Sequence, residues 1–126
     1  MSDNTISGIL SKSYRSRKNI SSINRGESVK ITNAKIKGNL AFIDVEDKKG
    51  TNNGIFGDSD TYECHVNVAL HFKNCTFKDD VTGYLHEEGI DELCNAMFHE
   101  DVVFENCTFN GAALFKYSEF DKKSVF

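Results

Sequence analysis

Four cysteines (Cys64, Cys75, Cys94, Cys107) and four histidines (His65, His71, His86, His99) are interspersed between positions 64 and 107. Thiolate and imidazole are the ligands zinc takes, four at a time in a tetrahedron. The spacing offers no zinc module: there is no C-x-x-C and no pairing of the finger type. An even cysteine number could instead mean two disulfides. The opening MSDNTISGIL, however, lacks the basic head and the apolar stretch of about 7–15 residues that a secretory signal carries. A reducing, cytoplasmic setting with free thiols is therefore expected. No metal and no cofactor are implied.

Carboxylates form the other chemically notable set. Glu87, Glu88, Asp91, Glu92, Glu100 and Asp101 crowd one stretch, with Asp79, Asp80 and Glu105 nearby. Paired carboxylates can do acid–base chemistry or bind calcium, yet Asp58-Ser59-Asp60 is only a fragment of a calcium loop. The simplest reading is a solvated face; a second is a negative surface that steers a basic partner. No G-x-S-x-G, P-loop, G-x-G-x-x-G or H-E-x-x-H is present, and nothing places a nucleophile beside His71 or His99. The expectation is a protein that is not an enzyme.

The charge is unevenly spread. Residues 1–37 hold eight basic and two acidic residues, a net +6, whereas the remainder holds seven basic and seventeen acidic, a net −10. Arg15, Arg17, Lys18 and Arg25 lead this basic head. It could meet nucleic acid, a membrane or an acidic partner, or be a solvated tail. With 126 residues and no run near the ~18 apolar residues of a membrane span, one non-membrane domain is expected.

What positions these residues is a repeat. Ile31-Thr32-Asn33-Ala34-Lys35-Ile36, Phe72-Lys73-Asn74-Cys75-Thr76-Phe77 and Phe104-Glu105-Asn106-Cys107-Thr108-Phe109 each read large apolar, polar, Asn, small, polar, large apolar. A helix would set large residues five apart about 140° from each other, and a strand would set them on opposite faces. Five therefore suits a chain that turns a corner between successive large side chains, as in a narrow solenoid with rungs ~4.8 Å apart. The beat continues in Val102-Val103-Phe104, Cys107-Thr108-Phe109, Ala112-Ala113-Leu114, Ser118-Glu119-Phe120 and Ser124-Val125-Phe126. Asn at each corner fits because it tolerates a left-handed backbone, although a polar recognition ladder is a second reading.

Ala112-Ala113-Leu114, Cys107-Thr108-Phe109 and Ala34-Lys35-Ile36 resemble the unit of the pentapeptide-repeat family: small residue, Asp or Asn, Leu or Phe, two variable residues. The clean repeats cover 102–126 and weaker ones 29–43 and 67–82. The resemblance implies an all-β solenoid, a right-handed, four-sided parallel β-helix with about twenty residues per coil. Phe72 and Phe104 lie 32 residues apart, so one coil leaves twelve residues, the length of 87–98. There Ile90, Leu93, Cys94, Met97 and Phe98 have helical spacing, which predicts one inserted short α-helix over 87–98. Gly50, Gly54 and Gly57 mark 47–62 as a long inserted loop. Cys75 and Cys107 are then expected in one inward column, one rung apart, with Ala34, as small buried residues.

Two parts follow. Residues 1–27 read as a basic arm, disordered or ordered by a partner, with a cap over the solenoid end as the weaker alternative. Residues 28–126 read as the solenoid, whose last beats leave Phe115, Tyr117, Phe120 and Phe126 near an open end. Either that end dimerises, or something else covers it, or the sequence is a piece of a longer chain; the family's habit of dimerising through C-terminal coils favours the first. The expected function is non-catalytic protein binding. In this family acidic β-helices imitate duplex DNA and some bind DNA gyrase, which implies an inhibitor or modulator of a nucleic-acid enzyme, a topoisomerase or a defence nuclease. Its contact residues would be Glu87, Glu88, Asp91, Glu92, Glu100 and Asp101. The alternative is an assembly module joining through Phe115, Tyr117, Phe120 and Phe126 into a homodimer.

Overall fold

The computed structural model describes residues 12–50, 60–86 and 92–126. The chain is mostly β-strand, arranged in parallel sheets, with one α-helix. The strands are β1 (Lys12–Arg15), β2 (Val29–Thr32), β3 (Ala34–Lys37), β4 (Leu40–Ala41), β5 (Lys48–Gly50), β6 (Asp60–Val66), β7 (Leu70–Lys73) and β8 (Thr76–Phe77). There follow β9 (Val81–Thr82), β10 (Tyr84–His86), β11 (Glu92–Phe98), β12 (Val102–Glu105), β13 (Thr108–Phe109), β14 (Ala113–Leu114), β15 (Glu119–Phe120) and β16 (Ser124–Val125). The helix α1 spans Ser16–Asn24, and a 3-10 turn spans Phe42–Asp44.

The chain visits four ladders in a fixed order and then repeats the circuit. The first ladder stacks β2, β7, β12 and β16; the second β1, β3, β8 and β13; the third β4, β9 and β14; the fourth β5, β6, β11 and β10, with β15 also on β11. Pairing is parallel except in the hairpins β5–β6 and β10–β11. No sheet closes on itself, and the arrangement is compatible with a β-helix-like fold.

Register turns the five-residue beat into columns. Ile31, Phe72 and Phe104 lie one above another, as do Ile36, Phe77 and Phe109. Val66, Phe98 and Phe120 form a third column. Their rings stack nearly flat: Phe72 on Phe104 at 5.2 Å, Phe77 on Phe109 at 5.1 Å, Phe98 on Phe120 at 4.9 Å. Edge contacts such as Phe77–Phe104 at 5.5 Å tie columns together. Large side chains fill the axis because each corner re-aims the next strand inward, and burying each one stabilises by roughly 1.5–3 kcal/mol.

The corners are asparagines with a left-handed backbone: Asn33, Asn74 and Asn106 have φ of 55°, 54° and 52°. Their side chains also bond to each other. Asn74 Nδ2 donates to Asn33 Oδ1 at 3.0 Å, and Asn106 Nδ2 donates to Asn74 Oδ1 at 2.6 Å. Corner chemistry and ladder are thus one device, internal to the stack.

Four expectations need correction. First, residues 92–98 are strand β11, not the end of a helix over 87–98; residues 87–91 lie outside the described residues. β11 is hydrogen-bonded on both edges, to β6 along seven residues and to β10 and β15 on the other side. Asn95 and Met97 on one side and Ala96 and Phe98 on the other are all buried. A strand covered on both faces loses its alternation and can mimic helical spacing. Second, the loop over 47–62 begins as β5 and ends as β6, with 51–59 outside the described residues. The two insertions share a corner in successive passes, so they pair into one sheet.

Third, residues 12–27 are no free arm. β1 pairs with β3 from Lys12↔Ala34 to Arg15↔Lys37, and α1 buries Ser16, Asn19, Ile20 and Ile23. Ile20 and Ile23 join the same apolar core as Ile31, Ile36 and Leu40. Residues 1–11 lie outside the described residues. Fourth, the triplet Ala112-Ala113-Leu114 is out of frame by one. Ala113 continues the column of Leu40 and Val81, while Leu114 is 42% exposed. Phe115 turns to the axis instead, 5.4 Å from the Phe126 ring. A Cβ on Gly83 would stand 2.9 Å from Phe115 Cδ1, so glycine there leaves the ring its space.

Candidate functional site

The far end of the ladders is formed by β13, β14, β15 and β16. Three of these, β13, β14 and β16, are terminal strands of their ladders, and β15 sits at the edge of β11. Their outer backbone groups meet no further described strand, which makes this end a template for additional β-structure. Three of the four predicted interface residues come together here. Phe115, Phe120 and Phe126 form a triangle of rings 5.4 to 5.9 Å apart. Phe120 and Phe115 are half-buried, while Phe126 is 61% exposed. Tyr117 stands apart. It is 60% exposed, has φ of 60°, and packs edge-on to Tyr84 at 5.6 Å beneath the Lys116 ammonium.

The acidic set is divided. Glu87, Glu88 and Asp91 lie outside the described residues, and Glu92 opens β11 in register with Asp60. Glu100 and Asp101 are engaged within the chain. Lys122 Nζ meets Glu100 Oε1 at 2.8 Å, and Lys123 N donates to Asp101 Oδ1 at 3.3 Å. The Glu100 carboxylate also raises the pKa of the Lys122 ammonium. Asp79 and Asp80 do similar work: Asp79 accepts from Gly38 N at 2.7 Å and Asp80 from Ala112 N at 2.9 Å. These carboxylates stitch one pass to the next.

The basic residues are exposed and lie toward the opposite end. Arg15 closes β1, Arg17 and Lys18 lie in the first turn of α1, and Arg25 follows its last turn. Arg25 Nη2 reaches Glu27 Oε1 at 3.0 Å, a hydrogen bond that raises the Arg25 pKa and lowers that of Glu27. On the neighbouring strand, Lys35 and Lys37 are exposed and in register with Ser13 and Arg15.

One polar constellation escaped the sequence reading. His99 Nδ1 lies 2.6 Å from Asp121 Oδ2, and His99 Nε2 lies 2.7 Å from His65 Nδ1. The two imidazoles stack at 5.0 Å. With Asp121 accepting from His99 Nδ1–H, the His65 Nδ1–H donates to His99 Nε2, so His65 Nε2 is left as an acceptor. That buried nitrogen has no hydrogen-bond partner among the described residues; Glu63 Oε1 is 3.7 Å away. The four residues come from three successive passes, so only register could have revealed them. The chain of contacts supplies neither a nucleophile nor a ligand cage, and among the described residues no group of three or more His, Cys, Asp or Glu side chains is arranged to hold a metal ion.

The cysteines are muted by burial. Desolvation pushes the Cys64 thiol up to about 11 and raises those of Cys75 and Cys107. Cys107 Sγ donates to Phe72 O at 3.4 Å and Cys75 Sγ to Ile31 O at 3.5 Å, one pass apart. Thiols so placed are poor nucleophiles at neutral pH. No described helix is long and apolar enough to cross a membrane. No family model matches the chain, and neither a curated protein nor a solved structure does.

Proposed function

We propose that the chain is a right-handed, four-sided β-helix of the pentapeptide-repeat type and a non-catalytic binding module that assembles with a second copy of itself through its last pass. The observation that carries this reading is an end that no described residue covers: the terminal strands of the ladders together with exposed Leu114, Tyr117 and Phe126. Apolar rings in contact with the core cost free energy when left in water, and a matching end covers them while pairing the open strands. The charge of this pass suits self-association. Lys116, Lys122 and Lys123 are interspersed with Glu119 and Asp121, so two copies do not repel strongly. The test is sedimentation across a concentration range with Leu114→Asp and Phe126→Asp. Both positions are exposed, so the variants should melt close to wild type at concentrations where wild type is monomeric, and should fail to dimerise at higher ones. A monomeric wild-type chain at every concentration would sink the proposal.

A second reading, docking on a basic protein groove such as that of a nucleic-acid enzyme, draws on one feature. Glu87, Glu88, Asp91 and Glu92 fall in the short stretch that links the paired ends of β10 and β11. Four carboxylates so close in the chain would steer a cationic surface. Reversing all four to Lys would abolish salt-sensitive capture of such an enzyme and leave self-assembly untouched.

A further inference from the structure

Between α1 and β2 lies a concave site of about 540 Å³, lined by Tyr14, Lys18, Asn19, Arg25, Ser28 and Lys30 with Ser21, Ser22, Val29 and Ile31. Three cationic side chains and three serine hydroxyls converge, while the carboxylate nearest in the chain, Glu27, is not among the lining residues. The three cations are exposed. Arg25 is held at the wall by Ser22, whose Oγ accepts from Arg25 Nη2 at 3.3 Å, and by Glu27, which occupies part of one edge of the guanidinium. A guanidinium carries five donors, so others stay available.

A second, independent observation points the same way. Asn19 also lines this site, is only 5% exposed, and its Nδ2 has no hydrogen-bond partner among the described residues. A buried unpaired donor is costly, by an amount comparable to a lost hydrogen bond. Asn19 is also one of the residues lining this positively charged cavity. An acceptor-rich anion that settles into the site, with a small shift of the Asn19 amide, relieves that cost.

The site is not uniformly polar. Tyr14 is half-buried, and Val29 and Ile31 supply buried apolar surface. A bare inorganic anion would leave that wall unused, and a nucleic-acid duplex is too wide to enter a concavity of this size. We infer that the cleft between α1 and β2 binds a small organic phosphate, its phosphate held by Lys18, Arg25 and Lys30 and its ring or apolar body laid against Tyr14, Val29 and Ile31. Charge-assisted contacts to phosphate oxygens give the affinity, and the hydroxyls of Ser21, Ser22 and Ser28 complete the oxygen shell.

The experiment is isothermal titration of the full chain with AMP, with inorganic phosphate and with a short DNA duplex, at two salt concentrations. AMP should bind at one site per chain, more weakly at high salt, and at least about tenfold more tightly than inorganic phosphate. Lys18→Ala together with Lys30→Ala should weaken AMP by about tenfold or more. Ser28→Glu, which puts a carboxylate at the rim, should do the same without removing any cation. All three positions are exposed, so an unchanged thermal melt certifies that the fold survives. Tyr14→Ala, its fold checked by the same melt, should weaken AMP and leave inorganic phosphate unchanged. No detectable AMP binding at millimolar concentration overturns the proposal, as does equal binding by wild type and the Lys18/Lys30 variant. Inorganic phosphate binding as tightly as AMP overturns the assignment of the organic body. Duplex binding that survives the Lys18/Lys30 change but falls on replacing Arg15 and Arg17 also overturns it, moving the phosphate contacts to the outer face of β1 and α1.

Discussion

The two ends of the ladders carry the same stack and differ in what lies over them. At one end α1 crosses the first pass, burying Ile20 and Ile23. Polar contacts fasten it: Ser16 Oγ donates to Gly38 O at 2.7 Å, and Glu46 N donates to Asn24 Oδ1 at 2.9 Å. At the other end no described residue covers the last pass. The consequence appears within single columns. Ile36 and Phe77 are buried while Phe109 above them is half-buried; Ile31, Phe72 and Phe104 are buried while the Phe126 ring, stacked on Phe104 at 5.2 Å, stands 61% exposed. Depth in the stack, more than residue type, sets how much each phenylalanine contributes, since an end rung has neighbours on one side only.

The largest effect that tests this is a pair of identical truncations. Phe72→Ala, in the middle pass, should lower stability by about 3–5 kcal/mol, the range for a buried aromatic. Phe126→Ala should lower it by less than about 1 kcal/mol, because most of its ring already faces water. Urea melts of the two variants at low protein concentration measure the difference. Equal losses would mean that the last pass is as well packed as the middle, and the contrast between the ends would fail.

The next largest effect addresses the covered end. Ile23→Ala should cost about 2–4 kcal/mol, by the lost transfer free energy and the cavity left beneath α1. Hydrogen exchange then locates the damage. The amides of β2 and β3 should lose protection before those of β12 and β13. Uniform loss along the ladders would instead show that the stack melts as one unit and that α1 has no local role.

A smaller effect dissects the corners shared by both ends. Asn74→Ala removes two side-chain bonds and forces alanine into a left-handed backbone, a cost of about 2–3 kcal/mol. Asn74→Gly removes the same bonds and relieves the backbone, so it should be about 1 kcal/mol less damaging. If glycine proves as costly as alanine, the ladder of amides and not the φ of 54° is what asparagine is there to supply.

The corners also show where sequence was informative. The beat of Asn33, Asn74 and Asn106 was readable because each turn needs the same unusual backbone, and the large residues beside it keep strict spacing. Helix α1 was hidden for a physical reason. The buried stripe of α1 is Ser16, Asn19, Ile20 and Ile23, helical in spacing but half polar, so hydropathy alone does not mark it. Strand β11 misled because both its faces are covered. Of the candidate site residues, Phe120 and Phe126 converge because the beat brings them to one end, and Phe115 joins them through the slip of one residue at Leu114. The contacts of His99 with His65 and Asp121 depend on register across two insertions, a long-range property that local spacing does not encode.

The smallest effect is one of pH, and it separates the interior from the last pass again. Cys64 is fully buried beside Ala96 in the shared sheet, its thiol pushed up to about 11 from an ordinary 9.0, chiefly by desolvation. Cys107, on the last pass, is half-buried and also raised, again chiefly by desolvation. Raised thiol values mean that the folded chain keeps its protons where the unfolded chain has lost them. Stability is therefore intact below about pH 9 and falls as pH climbs from there toward about 11, because the unfolded state binds fewer protons over that interval. Cys64→Ala should flatten this alkaline decline more than Cys107→Ala does, with little change for either at pH 7. The size match to Ala96 makes alanine tolerable at Cys64, and Ala34 fills the equivalent column position below Cys75 and Cys107. Melts of the three chains between pH 7 and pH 11 decide it. A Cys107→Ala effect equal to that of Cys64→Ala would show that the last pass excludes water as well as the interior does, which is the condition a tight end-to-end dimer would create.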